Sequence, residues 1–265
     1  MRKLSECDVR IFSNVEAILS DLDDTLTLNG KLPAVAYAAL EALSDSGIKT
    51  VVITGRPAGW CDLIARQWPV DGVVGENGAF YFRYDQGVRK MIRRFLRSDD
   101  ERRRDRAKLT EWFEAVQKSH PAIRLAADQD FRISDIAIDV REDVAPLSDD
   151  EVSEIMAELA AFGATVKLSS IHINAWIGAF DKLSMSKLYL ADELGIPENA
   201  LRERVLYIGD SPNDEPMFRE LTLTVAVKNI EDYIFRLKHM PAFITEAPGG
   251  LGFAEMAQTL RKRGT

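Results

Sequence analysis

Val15-Glu-Ala-Ile-Leu-Ser-Asp21-Leu-Asp23-Asp-Thr25 sets the reading of the whole chain: a short apolar run of strand character ends abruptly in a cluster of acids. A buried strand with polar groups at its exit is the opening unit of an α/β sheet. The next segments keep that rhythm. After a turn at Asn29-Gly30, Pro33 suits the first turn of a helix, Ala34 to Leu43 supplies helix formers, and Gly47 suits the stop. Ile48 to Ile53 is a second apolar strand, leaving through Thr54-Gly55-Arg56-Pro57 into a helix over Ala58 to Trp68. Val73-Val74 is a short third strand. This order predicts a parallel sheet covered by helices on both faces, with right-handed crossovers.

The rhythm breaks in the middle of the chain. Ala79 to Tyr84 and Val88 to Ile92 flank Asp85-Gln86-Gly87 as the arms of a hairpin. A charged helix is expected over Asp99 to Lys118, strands near Ile123–Leu125 and Asp135–Val140, and a helix over Asp149–Phe162 opened by Ser148. Thr165–Leu168 and Ile171–Asn174 read as an antiparallel pair. Alternation then resumes: a helix from Asp181 to Leu194 stopped by Gly195, a strand Val205–Ile208 ending in Gly209-Asp210, and a last helix from Phe253. The expected organisation is an α/β core built from residues 1–83 and 180–265, interrupted by an inserted α+β module at 84–179.

Composition narrows the classes. The 265 residues are 46% hydrophobic and 29% charged, which excludes disordered, collagen-like and disulfide-scaffold proteins. A net charge of −8 argues against a general binder of nucleic acid or membrane surfaces. The basic run Arg89 to Lys108 is interrupted by Asp99, Asp100, Glu101 and Asp105, and reads as a solvated helix face. Cys7 and Cys61 offer no disulfide framework and suit a reducing compartment. Met1 to Asp8 lacks the apolar run of a signal peptide, and no run of eighteen apolar residues could span a bilayer. The expectation is a cytoplasmic protein with neither nucleic-acid nor membrane partners, of an oligomeric state the sequence does not specify.

In open α/β sheets the reacting groups collect beyond the carboxyl ends of the strands. Four segments put polar residues there: Asp21-Leu-Asp23-Asp-Thr25, Thr54 after Val51-Val-Ile, Lys182 at a helix start, and Asp210-Ser-Pro-Asn213-Asp214 after Leu206-Tyr-Ile-Gly. An Asp after a strand is usually a turn or a cap. Two acidic clusters, a hydroxyl and a lysine at one edge are harder to explain that way. Three or more carboxylates gathered together repel, and a hard divalent cation such as Mg²⁺ relieves the repulsion.

The order DxDxT, a strand ending in Thr, a Lys, then GDxxND resembles the haloacid dehalogenase (HAD) superfamily of phosphohydrolases. Ile53-Thr-Gly-Arg56, Gly75-Glu-Asn77-Gly-Ala79, Asp181-Lys182 and Gly209-Asp-Ser-Pro-Asn-Asp214 look like its subfamily IIB, and the long insertion is similar to a C2-type cap. That group includes the Cof-type and sugar-phosphate phosphatases, the mannosyl-3-phosphoglycerate phosphatases and the phosphomannomutases. The resemblance implies a Rossmann-like parallel-sheet core with an inserted α+β cap, and a phosphatase for a small phosphorylated metabolite, a sugar phosphate or a phosphoglycerate-linked sugar. It implies that Asp21 is the nucleophile forming an aspartyl-phosphate and Asp23 the acid and then the base. Thr54 and Lys182 would hold the phosphoryl oxygens. Mg²⁺ would be held by Asp21, the Asp23 carbonyl and Asp210, with Asp214 a further ligand, direct or through water. Thr25, Gly55, Arg56 and Asn213 are expected around the phosphate or substrate, and Asn77, His172 and Asn174 are candidates to face the substrate, with Trp176 lining the cleft. Lys228 stands where Cof-type members carry Gly, which leans toward the sugar-phosphate and phosphoglycerate-linked phosphatases. Two alternatives stay open: a phosphomutase of the same subfamily, and a receiver-like signalling module, which also combines acids, Thr and Lys on a doubly wound sheet.

Overall fold

The computed structural model describes residues 1–264. Nine strands form one large sheet: β1 (Arg2–Lys3), β2 (Ala17–Asp21), β3 (Lys49–Ile53), β4 (Gly72–Gly75), β5 (Phe80–Asp85), β6 (Lys90–Phe95), β11 (Val205–Gly209), β12 (Leu223–Ala226) and β13 (Phe243–Ile244). Their order is β1-β13-β12-β11-β2-β3-β4-β5-β6. From β1 to β4 every pairing is parallel; β5 alone runs the other way, antiparallel to both β4 and β6. Registers Asp21↔Ile53 and Gly209↔Ala226, with Ile208 opposite Ser20, bring the carboxyl ends of β2, β3 and β11 to one edge.

Both faces of the sheet are buried, and the period of two along each strand sorts its residues between two cores. Ile18, Val52, Val73, Leu206 and Ile208 face helices α1 (Ala34–Asp45), α2 (Ala58–Gln67) and α8 (Gly249–Arg261), which contribute Leu40, Leu43, Ile64, Phe253 and Met256. Leu19, Val51, Val74 and Tyr207 face α5 (Lys182–Leu194), α6 (Leu201–Arg204) and α7 (Glu215–Glu220) through Met185, Tyr189, Leu201 and Met217. Each buried aliphatic side chain contributes on the order of 1.5–3 kcal/mol relative to exposure.

A second sheet, ordered β7-β8-β10-β9, is antiparallel throughout and lies within the insertion. Its strands are β7 (Arg124–Leu125), β8 (Asp135–Asp139), β9 (Thr165–Leu168) and β10 (His172–Trp176). Ile136, Ile138, Ile173 and Ala175 pack under α3 (Asp99–Ser119) and α4 (Asp149–Ala161), both opened by Ser–Glu capping boxes at Ser98 and Ser148. The alternate residues His172, Asn174 and Trp176 therefore point away from those helices. The hairpin expected inside the inserted module instead extends the large sheet: β5 pairs with β4, because Phe80 and Phe82 bury against Phe95 and the main core. No helix among the described residues is long and apolar enough to cross a membrane.

Candidate active site

The exits of β2, β3 and β11 and the start of α5 converge on one buried cluster. Lys182, the first residue of α5, places Nζ 2.6 Å from Asp21 Oδ1 and 3.3 Å from Asp214 Oδ1. A lysine there opposes the positive end of the helix dipole, so local helix energetics do not explain it; two carboxylates do. Burial works against its charge, yet Asp21 and Asp214 outweigh burial and raise its pKa. Carboxylate oxygens of Asp21, Asp210 and Asp214 lie within 4.8 Å of one another. Burial, with the neighbouring Asp214 and Asp23, pushes Asp21 up to about 7 against the pull of Lys182. Asp210 is raised well above the ordinary range by burial and then by Asp21 and Asp214. These three acids share one lysine, so the donor set is short of positive charge and suits a hard divalent cation.

The acids differ in how they are held. Asp214 Oδ2 accepts the backbone N–H of Asp210 and Ser211 at 3.0 and 3.2 Å, and Oδ1 accepts Tyr207 Oη at 2.5 Å besides Lys182. Four donors occupy it. Asp210 accepts Thr25 Oγ1 at 3.0 Å and Asn229 Nδ2 at 3.3 Å. Thr25, expected near the phosphate, is fully buried and spends its hydroxyl on Asp210. Thr54 is buried with Oγ1 accepting Arg56 N at 3.0 Å.

Asp21, Asp23, Gly55, Arg56, His172, Asn174, Lys182, Ser211 and Asn213 line one small cleft, closed over by Ser169–Ile171 of the β9–β10 loop. Asn77 is held behind it, donating to Asp135 at 3.3 Å, and Asn174 donates to the same oxygen at 3.4 Å. Trp176, placed at the cleft by its sequence position, is instead fully buried, stacked on Phe180 and donating to the Phe180 carbonyl at 3.2 Å. Lys228 pairs outward with Glu231.

Several organising residues were given no role by the sequence, Glu76 standing there only as part of the Gly75–Ala79 motif. Asn229 ties three loops together, donating to Asp24 O and Asp210 and accepting from Gly249 N. Glu76, completely buried, accepts the backbone N–H of Ala58 and of Ile133, Ser134 and Asp135, joining α2 to the segment before β8. Burial and Asp135 push Glu76 up to about 8, against Arg132 and its amide donors. Arg132 pairs with Asp128 and Asp135 and donates to Gly55 O at 2.8 Å. Glu142 meets Arg56.

A model of haloacid dehalogenase-like hydrolases matches residues 18–103 and 148–246. The chain belongs to that family. As a hydrolase of this family it is an enzyme rather than a receiver-like module, and its kind is the phosphatases. A phosphoglycolate phosphatase of Methanobrevibacter smithii is 28% identical over 229 residues, 83% of this chain and 89% of that one. Another, from Archaeoglobus fulgidus, is 27% identical over 92% of this chain and 96% of its own length. Among solved structures, a Thermoplasma acidophilum protein superimposes with a TM-score of 0.72 at 17% identity, covering 93% of this chain and 98% of that one. A HAD subclass IIB sugar phosphatase superimposes with 0.61 at 16% identity, covering 94% and 99%. The HAD fold, with a Rossmann-like core and an inserted cap, is therefore the fold of this hydrolase.

Proposed function

We propose that this hydrolase is a Mg²⁺-dependent phosphatase for a small phosphorylated metabolite, acting through an aspartyl-phosphate on Asp21. The observation that carries the reading is the Asp21–Lys182 pair at 2.6 Å beside Asp210 and Asp214. Asp21 attacks phosphorus and the ester oxygen departs; Asp23 gives that oxygen its proton, then takes one from the water that hydrolyses the acyl phosphate. Lys182 and Thr54 hold the phosphoryl oxygens. Asp21, Asp210 and the Asp23 carbonyl would hold Mg²⁺, which supplies charge neutralisation for the transferring group. Asp214, with four donors on its oxygens, is better suited to fixing Lys182 and the loop than to binding the metal directly.

The resemblance points to a sugar phosphate. The phosphoglycolate phosphatases among the relatives favour a second reading, a short phosphorylated hydroxy acid. A small phosphorylated partner is common to both.

The test is hydrolysis of p-nitrophenyl phosphate after chelation and after Mg²⁺ is restored. Turnover should vanish with chelator, return with Mg²⁺, and stay absent in Asp21→Asn. Full turnover in excess chelator would sink the mechanism.

A further inference from the structure

Arg56 reaches in two directions. Its Nε and Nη2 lie 2.9–3.1 Å from Asp23, and its outer edge grips Glu142 as a fork, Nη2 to Oε1 at 2.6 Å and Nη1 to Oε2 at 3.1 Å. Its Nη1 also lies 3.4 Å from Asp128. His172 Nε2 sits 3.0 Å from Glu142 Oε2 but is not aligned as a donor, and no other hydrogen-bond partner reaches that nitrogen. Arg56 is 5% exposed, His172 3% and Asn174 2%. These are buried, oriented polar groups, and the group presented to Arg56 and His172 together is a carboxylate.

That carboxylate belongs to a loop. Asp139 holds the loop's main chain, accepting the N–H of Arg141, Glu142 and Asp143 at 2.7–2.9 Å. The Glu142 side chain extends beyond this anchored backbone and is 30% exposed. Arg56 and His172 also line the cleft of Asp21 and Lys182, whose free volume is about 10 Å³, too little for a phosphoryl group. On the other side, Asp23, Arg56 and Glu142 border a cavity of about 550 Å³ walled by Trp60, Leu63 and Phe131. Glu142 borders that cavity and not the cleft, and its carboxylate is held on Arg56 by side-chain contacts while Asp139 anchors its backbone.

We infer that Arg56 and His172 form the seat for a carboxylate of the substrate, and that Glu142 fills this seat as a built-in competitor until substrate displaces it. The inference rests on the phosphatase reading and narrows its substrate to phosphate monoesters of short hydroxy acids. Exchanging one carboxylate for another keeps the Arg56 fork paired, whereas a neutral substrate that expels Glu142 leaves a buried guanidinium edge unpaired. Sites that hydrogen-bond a substrate group reject analogues lacking it. Because Glu142 can swing back, discrimination here should be modest, roughly 10–100-fold.

The experiment compares 2-phosphoglycolate with its neutral counterpart 2-hydroxyethyl phosphate in Mg²⁺, for the native protein and Glu142→Ala, with p-nitrophenyl phosphate as the reference ester. The native protein should prefer phosphoglycolate by roughly 10–100-fold in kcat/KM. Glu142→Ala should lower KM for phosphoglycolate several-fold with kcat little changed, and free glycolate should inhibit it more strongly than it inhibits the native protein. Equal kcat/KM for the two esters in the native protein, with p-nitrophenyl phosphate turned over, would overturn the carboxylate seat alone. A Glu142→Ala protein that loses kcat equally on all three esters, KM unmoved, would make Glu142 a structural clamp and overturn the competitor. If Glu142→Ala fails to fold, competitive inhibition of the native protein by glycolate decides the seat: none overturns it. No turnover of any ester would sink the phosphatase reading and this inference with it.

Discussion

Asp23 sits two residues beyond the candidate nucleophile and is already gripped by Arg56 at 2.9–3.1 Å. If it serves as acid and base, Asp23→Asn should damage the two halves of the reaction unequally. An aryl phosphate has a leaving group that departs without a proton, so Asp21 should still become phosphorylated, while attack of water loses its base. A stoichiometric burst of phenol followed by turnover reduced roughly 10²–10⁴-fold is expected by rapid quench. Steady turnover at the native rate would remove Asp23 from the mechanism. That Asp21, Thr54, Lys182, Asp210 and Asp214 would gather at one edge was legible, because strand exits and a helix start show in the hydrophobic pattern, and the structure places Lys182 against Asp21 and Asp214 with Asp210 beside them. Thr25 shows the limit of that reading, since a hydroxyl near a motif can serve the acid beside it. Glu142 was not legible at all. Its meaning lies in contact with Arg56, 86 residues away in the chain, and a lone glutamate in a polar loop looks solvated.

At the level of elements, the turn after β4 decides how α5 is delivered to the site. Gly78 has φ +105°, and a Cβ there would lie 2.1 Å from the carbonyl oxygen of Asp181, the residue that caps α5 through Ser184. Gly78→Ala should therefore cost roughly 2–4 kcal/mol, from a positive φ and an overpacked backbone contact. Because Asp181 precedes Lys182, kcat should fall as well under conditions where the variant remains folded. Urea unfolding and turnover together check this; an unchanged midpoint with unchanged kcat would show that the turn and helix are not mechanically joined. Element types were readable here, with α1, α2, α3, α4 and α5 near their expected limits. The partner of the β5–β6 hairpin was not, since hairpin residues carry no mark of the sheet they will join.

For the whole molecule, ion pairs between insertion and core link stability to acidity. Burial alone would raise Glu142, but His172 and Arg56 overcome it and hold the carboxyl at about 2, below its ordinary 4.5. A depressed carboxyl stabilises the fold above pH 4.5, and that contribution is lost as pH falls toward 2. Between pH 5 and 3 the native protein should lose about 1–2 kcal/mol more stability than Glu142→Gln, the full shift being discounted for the solvent reaching this side chain. Urea titrations at the two pH values measure the difference, and identical losses would show that the pair contributes nothing to folding.

The placement of β2 between β3 and β11 has a consequence for biosynthesis. Its partner on one side follows promptly, but β11 and Asp210 lie near the end of the chain, and Thr25 meets Asp210 across 185 residues. While the ribosome is still extending the polypeptide, β2 remains the open border of a half-built sheet, apolar on both faces, in need of shelter by chaperones or by fast synthesis. Lys182, Asp210 and Asp214 all follow the insertion in chain order, so the cluster around Asp21 comes together only after that whole segment has been made.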